Sequence, residues 1–195
     1  MYWISFFSLI DQNIALFLNQ QISFTGIFAL MSSVTDPLYN LIFWGALSLF
    51  AVYKRVKAYS IPFLHTFFSI ILLKFFCGVL KIATGRVRPE LFIKTGAYGF
   101  SFFGGVHDSL RSFPSSHAAT TFALTYLWIH FKRPKHPFIP YFIAMLLVSS
   151  RLFLGKHYLS DVIVGALVGL LSAKLSLRCK KKIEQTVGLL DSYLK

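Results

Sequence analysis

"SSRLFLGKHYLSDVIVG", residues 149–165, decides how the rest of the chain is read. It sets Arg151, Lys156, His157 and Asp161 between two apolar runs. Ionisable groups are costly in hydrocarbon, so where they occur they mark a membrane boundary or a function. His157 and Asp161 stand four residues apart, which places them on one face of a helix within reach of each other. A merely decorative surface turn has no need of that spacing. The stretch reads as a working site held at the edge of a membrane.

Composition supports such an edge. The chain has 195 residues, of which 55% are hydrophobic and 14% charged, whereas a soluble protein carries about 25% charged residues. Its net charge is +13, but the basic residues cluster between apolar runs. Spread through polar segments they would suggest nucleic acid; clustered, they suggest membrane orientation and contact with anionic headgroups. Cys77 and Cys179 do not make a disulfide framework. The first residues lack the basic n-region and small-residue cleavage site of a secretory signal, so no cleaved leader is expected.

Apolar runs at 37–53, 59–80, 118–131, 137–150 and 161–177 are predicted spans, several shorter than the roughly 20 residues an isolated span needs. Region 1–33 is apolar but broken by Asp11, the Asn-Gln-Gln run at 19–21 and small residues. It is expected to be an interfacial segment or an additional span. The basic clusters "KRVK" (54–57), "KRPKH" (132–136) and "RCKKK" (178–182) all fall on one side when spans alternate, and the positive-inside rule makes that side cytoplasmic. The expected fold is an all-α integral membrane protein, a bundle of five or six transmembrane helices with an N-terminal interfacial segment. It forms one domain over 1–195, with a cytoplasmic tail at 178–195.

Three polar stretches converge on the opposite side: "KIATGRVRP" (81–89), "RSFPSSHAAT" (111–120) and the stretch quoted first. Lys81, Arg88 and Arg151 supply fixed positive charge, and guanidinium forks match phosphate oxygens in pairs. "PSSH" opens a helix, whose first N–H groups favour an anion, and Ser115 and Ser116 add hydroxyl donors. Asp161 on one nitrogen of His157 leaves the other nitrogen free to attack phosphorus, while His117 can protonate the leaving oxygen. Taken singly, each residue has a plainer reading as a boundary anchor, a snorkelling cation or a helix cap. Their convergence on one side is what favours a site.

These residues resemble a known signature. "KIATGRVRP" fits K-x6-R-P, "PSSH" resembles P-S-G-H, and "SRLFLGKHYLSD" fits S-R-x5-H-x3-D. Together, over 81–161, they look like the three-part motif of the type 2 phosphatidic acid phosphatase and vanadium haloperoxidase superfamily. The resemblance implies a helical membrane bundle with its site facing the periplasmic or extracellular side and no metal or other cofactor. It implies His157 as nucleophile, Asp161 as its partner and His117 as the acid. Lys81, Arg88, Ser115 and Arg151 would bind phosphate, and position 116 would contribute its N–H. Ser116 stands where the family usually has glycine and would be strained only at positive φ.

The bacterial branch acts on phosphate or diphosphate lipids: undecaprenyl diphosphate, phosphatidylglycerol phosphate, phosphatidic acid or lipid A phosphate. The chain's length gives undecaprenyl diphosphate a slight edge. The implied partners are the lipid and the bilayer, not nucleic acid. A haloperoxidase is disfavoured because known members of that branch are soluble. A catalytically silent lipid-binding or transport protein needs the cations but has no use for two histidines and Asp161. Loop 90–113 reads as a substrate entrance or an ordinary interfacial loop, Lys156 as a headgroup contact, and His65, His130 and His136 as span or boundary residues. The acids Asp11, Asp36, Glu90, Asp108, Asp161, Glu184 and Asp191 show no evident cluster.

Overall fold

Asp36 and Pro37 show how a helix starts in this chain. Asp36 Oδ1 accepts the N–H groups of Leu38 and Tyr39 at 2.8 and 3.1 Å. Pro37 fills the first helical position, where no N–H is needed. The computed structural model describes residues 2–19, 25–54 and 56–185. Met1, residues 20–24, Arg55 of the first basic cluster and the tail after 185 (Asp191 included) lie outside the described residues.

Regular structure among the described residues is helical, apart from a single bridge between Arg86 and Phe100. The helices are α1 (Tyr2–Asn19), α2 (Thr25–Val34), α3 (Pro37–Tyr53), α4 (Lys57–Thr84), α5 (Pro89–Thr95), α6 (Ser116–Lys132), α7 (Phe138–Phe153) and α8 (Leu159–Arg178). The predicted runs all fall on helices, but the helices reach further than apolarity suggested. α4 carries on through Lys81, and α7 takes in Ser150 and Arg151. Among the described residues, α4 and α8 are long and apolar enough to cross a membrane, while α3 and α7 are shorter apolar helices. Region 1–33 holds two helices, α1 and α2, packed against α5, α7 and α8, with Phe28 stacked on Phe153 at 4.4 Å.

The bundle inverts the pattern of a water-soluble one. Its interior carries small and polar side chains, including Ser69, Thr120, Ser172 and Ser176, around Ile70, Leu73, Ala119, Ala123 and Ala173. Leu49, Phe75, Ile143 and Leu167 are exposed on the outside. Small residues inside let backbones approach, and apolar residues outside suit lipid. α6 and α8 meet most closely. A Cβ on Gly165 would lie 2.3 Å from the carbonyl of Ser115, and one on Gly169 would lie 2.1 Å from that of Ala119.

His65 marks one end of the bundle. It is fully buried, with Nδ1 3.0 Å from Ser176 Oγ and its ring 5.7 Å from Phe131. Lys132 lies 6.0 Å over the ring of Tyr59 at the same end. The basic ends of α6 and α8 therefore gather with the start of α4. At the other end, loop 96–115 folds over the end of α4, where Gly85 takes φ 55° and a Cβ would strike the carbonyl of Ser101 at 1.9 Å.

Gly169→Val should destabilise the bundle by about 2 kcal/mol or more, because α6 and α8 must part to admit the side chain. Thermal unfolding in detergent checks this; a midpoint equal to that of the native chain would contradict so close a contact.

Candidate active site

α4, α6, α7 and α8 bring the motif residues to one end. Lys81 comes from the last turn of α4, Arg88 precedes α5, Ser116 and His117 open α6, Arg151 ends α7, and Asp161 lies in the first turn of α8. A cavity of about 460 Å³ is lined by Lys74, Lys81, Arg88, Arg111 and Ser116, with Asp36 and Asp108 at its edge. Lys81, Arg88, Arg151 and His157 are all buried.

The cations rest on light partners. Lys81 Nζ donates to the carbonyl of Arg111 at 2.7 Å. Arg88 donates through Nε to the carbonyl of Asp108 at 2.7 Å and through Nη2 to its carboxylate at 2.8 Å. Arg151 Nη1 donates to Ser32 Oγ. Neutral acceptors leave a guanidinium or ammonium with unspent charge, and the Asp108 side chain is 82% exposed. A phosphate entering the cavity meets cations that are held in place but not neutralised.

His157 differs from the expectation in one respect. Its Nδ1 donates to the carbonyl of Ser112 at 2.6 Å, while Asp161 Oδ2 stands 3.7 Å away. A carbonyl can only accept, so Nδ1 carries the proton and Nε2 keeps its lone pair. Asp161 acts one step back. Its Oδ2 accepts from Ser112 Oγ at 2.5 Å and from the N–H of Tyr158 at 2.8 Å. The second of these bonds makes Asp161 a helix cap as well as a charge partner. Burial holds the His157 imidazole far down, to about 3, and the charges of Lys81 and Arg151 push the same way against Asp161. The ring is therefore a neutral base at ordinary pH, able to attack phosphorus.

Arg86 is the main residue that sequence reasoning passed over. It donates to Asp161 Oδ1 at 2.5 Å, Ser160 Oγ at 2.7 Å, Asp11 Oδ2 at 2.7 Å and Tyr98 OH at 2.9 Å. Burial opposes its charge, but Asp161, Asp11 and Tyr98 outweigh that and raise it well above the usual arginine range. Asp11 also accepts from Ser160, through both its N–H and its hydroxyl. Asp11 and Asp161 thus share one guanidinium, and the described residues hold no group of three or more His, Cys, Asp or Glu placed to bind a metal. A fully buried Asp161 needs a cation, and Arg86 was present in "KIATGRVRP"; that requirement was the signal that could have found it.

Other expected roles shift too. Ser115 is the fully buried N-cap of α6, its Oγ accepting the N–H of Ala118 at 3.4 Å and its own N–H donating to the carbonyl of Asp161 at 3.0 Å. Capping uses the oxygen of that hydroxyl as an acceptor and leaves its O–H able to donate, beside the first N–H groups of α6 that helix geometry leaves for an anion. Ser116 takes ordinary helical backbone with no positive φ, so it replaces glycine without strain. Lys156 is not left for headgroups alone: it pairs with Glu90 at 2.6 Å and ties α5 to the α7–α8 turn. His117 Nε2 faces Asp36 Oδ2 at 3.6 Å. Loop 90–113 supplies α5, Tyr98 and Asp108 to the site, and it exposes Phe102, Phe103 and Val106 beside it.

The family model of the PAP2 superfamily matches residues 62–185. The chain belongs to the PAP2 superfamily. The lipid A 1-phosphatase of Rhizobium johnstonii is 36% identical over 120 residues, covering 59% of this chain and 48% of that protein. A probable lipid phosphate phosphatase beta of Arabidopsis thaliana is 27% identical over 169 residues, 71% of this chain and 74% of that one. The chain spans about half the length of the Rhizobium relatives it matches. The crystal structure of Aquifex aeolicus LpxE shares the PAP2 fold, with a TM-score of 0.60 over 86% of this chain and 94% of that chain, at 20% identity.

The state of His157 has a consequence for stability. Unfolding returns it from about 3 to its ordinary 6.5. Below pH 6.5 the unfolded chain takes up a proton that the folded chain refuses. Its contribution is therefore present above 6.5 and lost as pH falls toward 3, at up to about 1.4 kcal/mol per pH unit. His157→Gln should flatten the fall in unfolding midpoint between pH 6.5 and 4; parallel curves for the two proteins would contradict the burial of a neutral ring.

Proposed function

We propose that the chain is an integral membrane lipid phosphatase that removes phosphate from a phosphate or diphosphate lipid through a phosphohistidine. The observation that carries this reading is the Nδ1–H of His157 fixed on the Ser112 carbonyl at 2.6 Å. It commits Nε2 to a free lone pair beside buried Lys81, Arg88 and Arg151, which a lipid-binding protein would not need. In this reading His157 Nε2 attacks phosphorus, the cations and the first N–H groups of α6 hold the equatorial oxygens, and His117 protonates the leaving oxygen. Water then attacks the phosphohistidine and frees His157. Asp161, with Arg86 behind it, stabilises the imidazolium side of that cycle.

The names of the Rhizobium relatives favour a lipid A 1-phosphate, while undecaprenyl diphosphate remains the choice that chain length suggested. Phosphate release from these two lipids, phosphatidylglycerol phosphate and phosphatidic acid, measured in detergent with chelator present, tests the reading. His157→Ala should lose at least about 1000-fold in kcat, and short incubation with labelled substrate should leave an acid-labile, alkali-stable label on the native chain only. Full activity in His157→Ala would sink the mechanism. Inactivity of the native chain on every lipid would favour a silent binder.

In the membrane we place α3, α4, α6, α7 and α8 as spans, the basic end in the cytoplasm and the site on the periplasmic or extracellular side, with α1 and α2 at that outer face. The exposed apolar sides of these helices and the basic cluster at the end opposite the site support this orientation. An Ala97→Cys chain in a Cys179→Ser background should be labelled by an impermeant maleimide in intact cells, and Lys180→Cys should not. The reverse pattern would overturn the orientation.

A further inference from the structure

Asp36 is placed as no motif required. It precedes α3, and the turn before it is tied down: Thr35 Oγ1 donates to the carbonyl of Ser32 at 2.9 Å, and Asn40 Nδ2 donates to the carbonyls of Val34 and Asp36 at 2.9 Å. Oδ1 is committed to the N–H groups of Leu38 and Tyr39. The rotation of the carboxylate is thereby fixed: Asp36 lines the cavity, and its Oδ2 points to His117 Nε2 at 3.6 Å.

The other described acids are engaged with lysine or arginine. Asp11 and Asp161 hold Arg86, Asp108 holds Arg88, Glu90 holds Lys156 and Glu184 holds Lys180. The salt-bridge partner of Asp36 among the described residues is His117. The remaining charges that act on His117 are Arg151 from α7, Lys81 from α4 and Arg88 from the link before α5, with His157 also near. All three fixed charges are positive. They suit a phosphate, whereas the proton that a general acid carries calls for a negative neighbour, and Asp36 is the carboxylate that faces His117.

We propose that Asp36 is a positioning residue that holds His117 as the protonated acid for the leaving group. The inference rests on the phosphatase reading above. As His157 Nε2 bonds to phosphorus, the bond from phosphorus to the lipid oxygen breaks and its electron pair stays on that oxygen. His117 gives that oxygen its proton, and the lipid leaves as an alcohol, or as a lipid monophosphate where the substrate is a diphosphate. Water next attacks the phosphohistidine, returning a proton to His117 and releasing inorganic phosphate. At 3.6 Å the carboxylate lies beyond hydrogen-bond length, so it balances the charge of His117 without binding the proton that must be passed on.

The test uses the full chain in detergent and two substrates that differ in leaving group. A long-chain alkyl phosphate departs as an alkoxide that needs a proton; p-nitrophenyl phosphate departs as a stable phenolate that does not. Asp36→Asn retains the cap on α3, because asparagine caps as well as aspartate, but removes the charge. The ratio of kcat on the alkyl phosphate to kcat on p-nitrophenyl phosphate should fall on the order of 100-fold, with KM for the alkyl phosphate changed less than about threefold. Asp36→Glu should restore part of the ratio, and His117→Asn should reproduce its fall. An unchanged ratio in Asp36→Asn overturns the inference, whether activity on both substrates is kept or lost. No hydrolysis of either substrate by the native chain overturns the phosphatase reading and this inference together, and the native control tells that outcome apart.

Discussion

The site depends on a guanidinium buried between two carboxylates. Arg86 joins Asp161 of α8 to Asp11 of α1, and its charge lies over the rings of Tyr158, Phe100 and Tyr98 at 4.5, 5.2 and 5.7 Å. Two carboxylates alone at that depth would repel each other and take up protons. A cation alone there would lack solvation, so removing any member strands the rest, a loss of about 3–5 kcal/mol for a buried pair. From Asp161 the order passes to Ser112, whose hydroxyl Asp161 accepts and whose carbonyl takes the His157 proton. It also passes to Ser115, whose N–H bonds to the carbonyl of Asp161 and which caps α6. The His157 ring and the start of α6 are thus oriented by one residue, and that residue is neutralised by Arg86.

The charges of this end divide into two kinds. Arg86 is fully compensated and serves structure. Lys81 and Arg151 donate to neutral oxygens, and Arg88 shares an aspartate that water reaches easily. Backbone carbonyls and a serine fix where these cations point while leaving their charge for a ligand. Such preorganisation avoids reordering when a phosphate enters, and it is worth more in a buried cavity than in water. Ser116 belongs to the same design. It needs no glycine conformation because the backbone there is already helical, and its hydroxyl faces the Cys77 thiol.

Residues whose chemistry shows in their type were legible in the sequence. Lys81, Arg88, Arg151, His117, His157 and Asp161 are polar groups in apolar surroundings, and the structure brings all of them to one end of the bundle. α3, α4, α6, α7 and α8 were legible as apolar runs, although the runs stop where polar residues begin and the helices do not, whereas α5 lies in a stretch read as a loop. Lys81 and Arg151 therefore sit on the last turns of α4 and α7 rather than on the connections. What could not be read was of two sorts. The acceptor for His157 is a backbone carbonyl, which every residue possesses and no residue type announces. Asp11 and Ser32 lie in a segment without a pattern and are placed by how α1 and α2 dock, while Asp36 is set by its cap on α3, and nothing in the sequence shows that the cap aims it at His117.

Those three residues make the N-terminal region part of the site. Each meets one residue of the three polar stretches: Asp11 meets Arg86, Ser32 meets Arg151 and Asp36 meets His117. The PAP2 match covers 62–185, so Lys81, Arg88, His117, Arg151, His157 and Asp161 lie inside it and these three partners lie before it. The matched segment supplies cations and histidines in a fixed order. The preceding residues set the charge balance around them, with a carboxylate for Arg86, a neutral hydroxyl for Arg151 and a carboxylate for His117. A change of partner at any of these contacts would alter the electrostatics of the cavity without touching a motif residue. Proteins that share the motif can therefore differ in chemistry through residues that the motif does not contain.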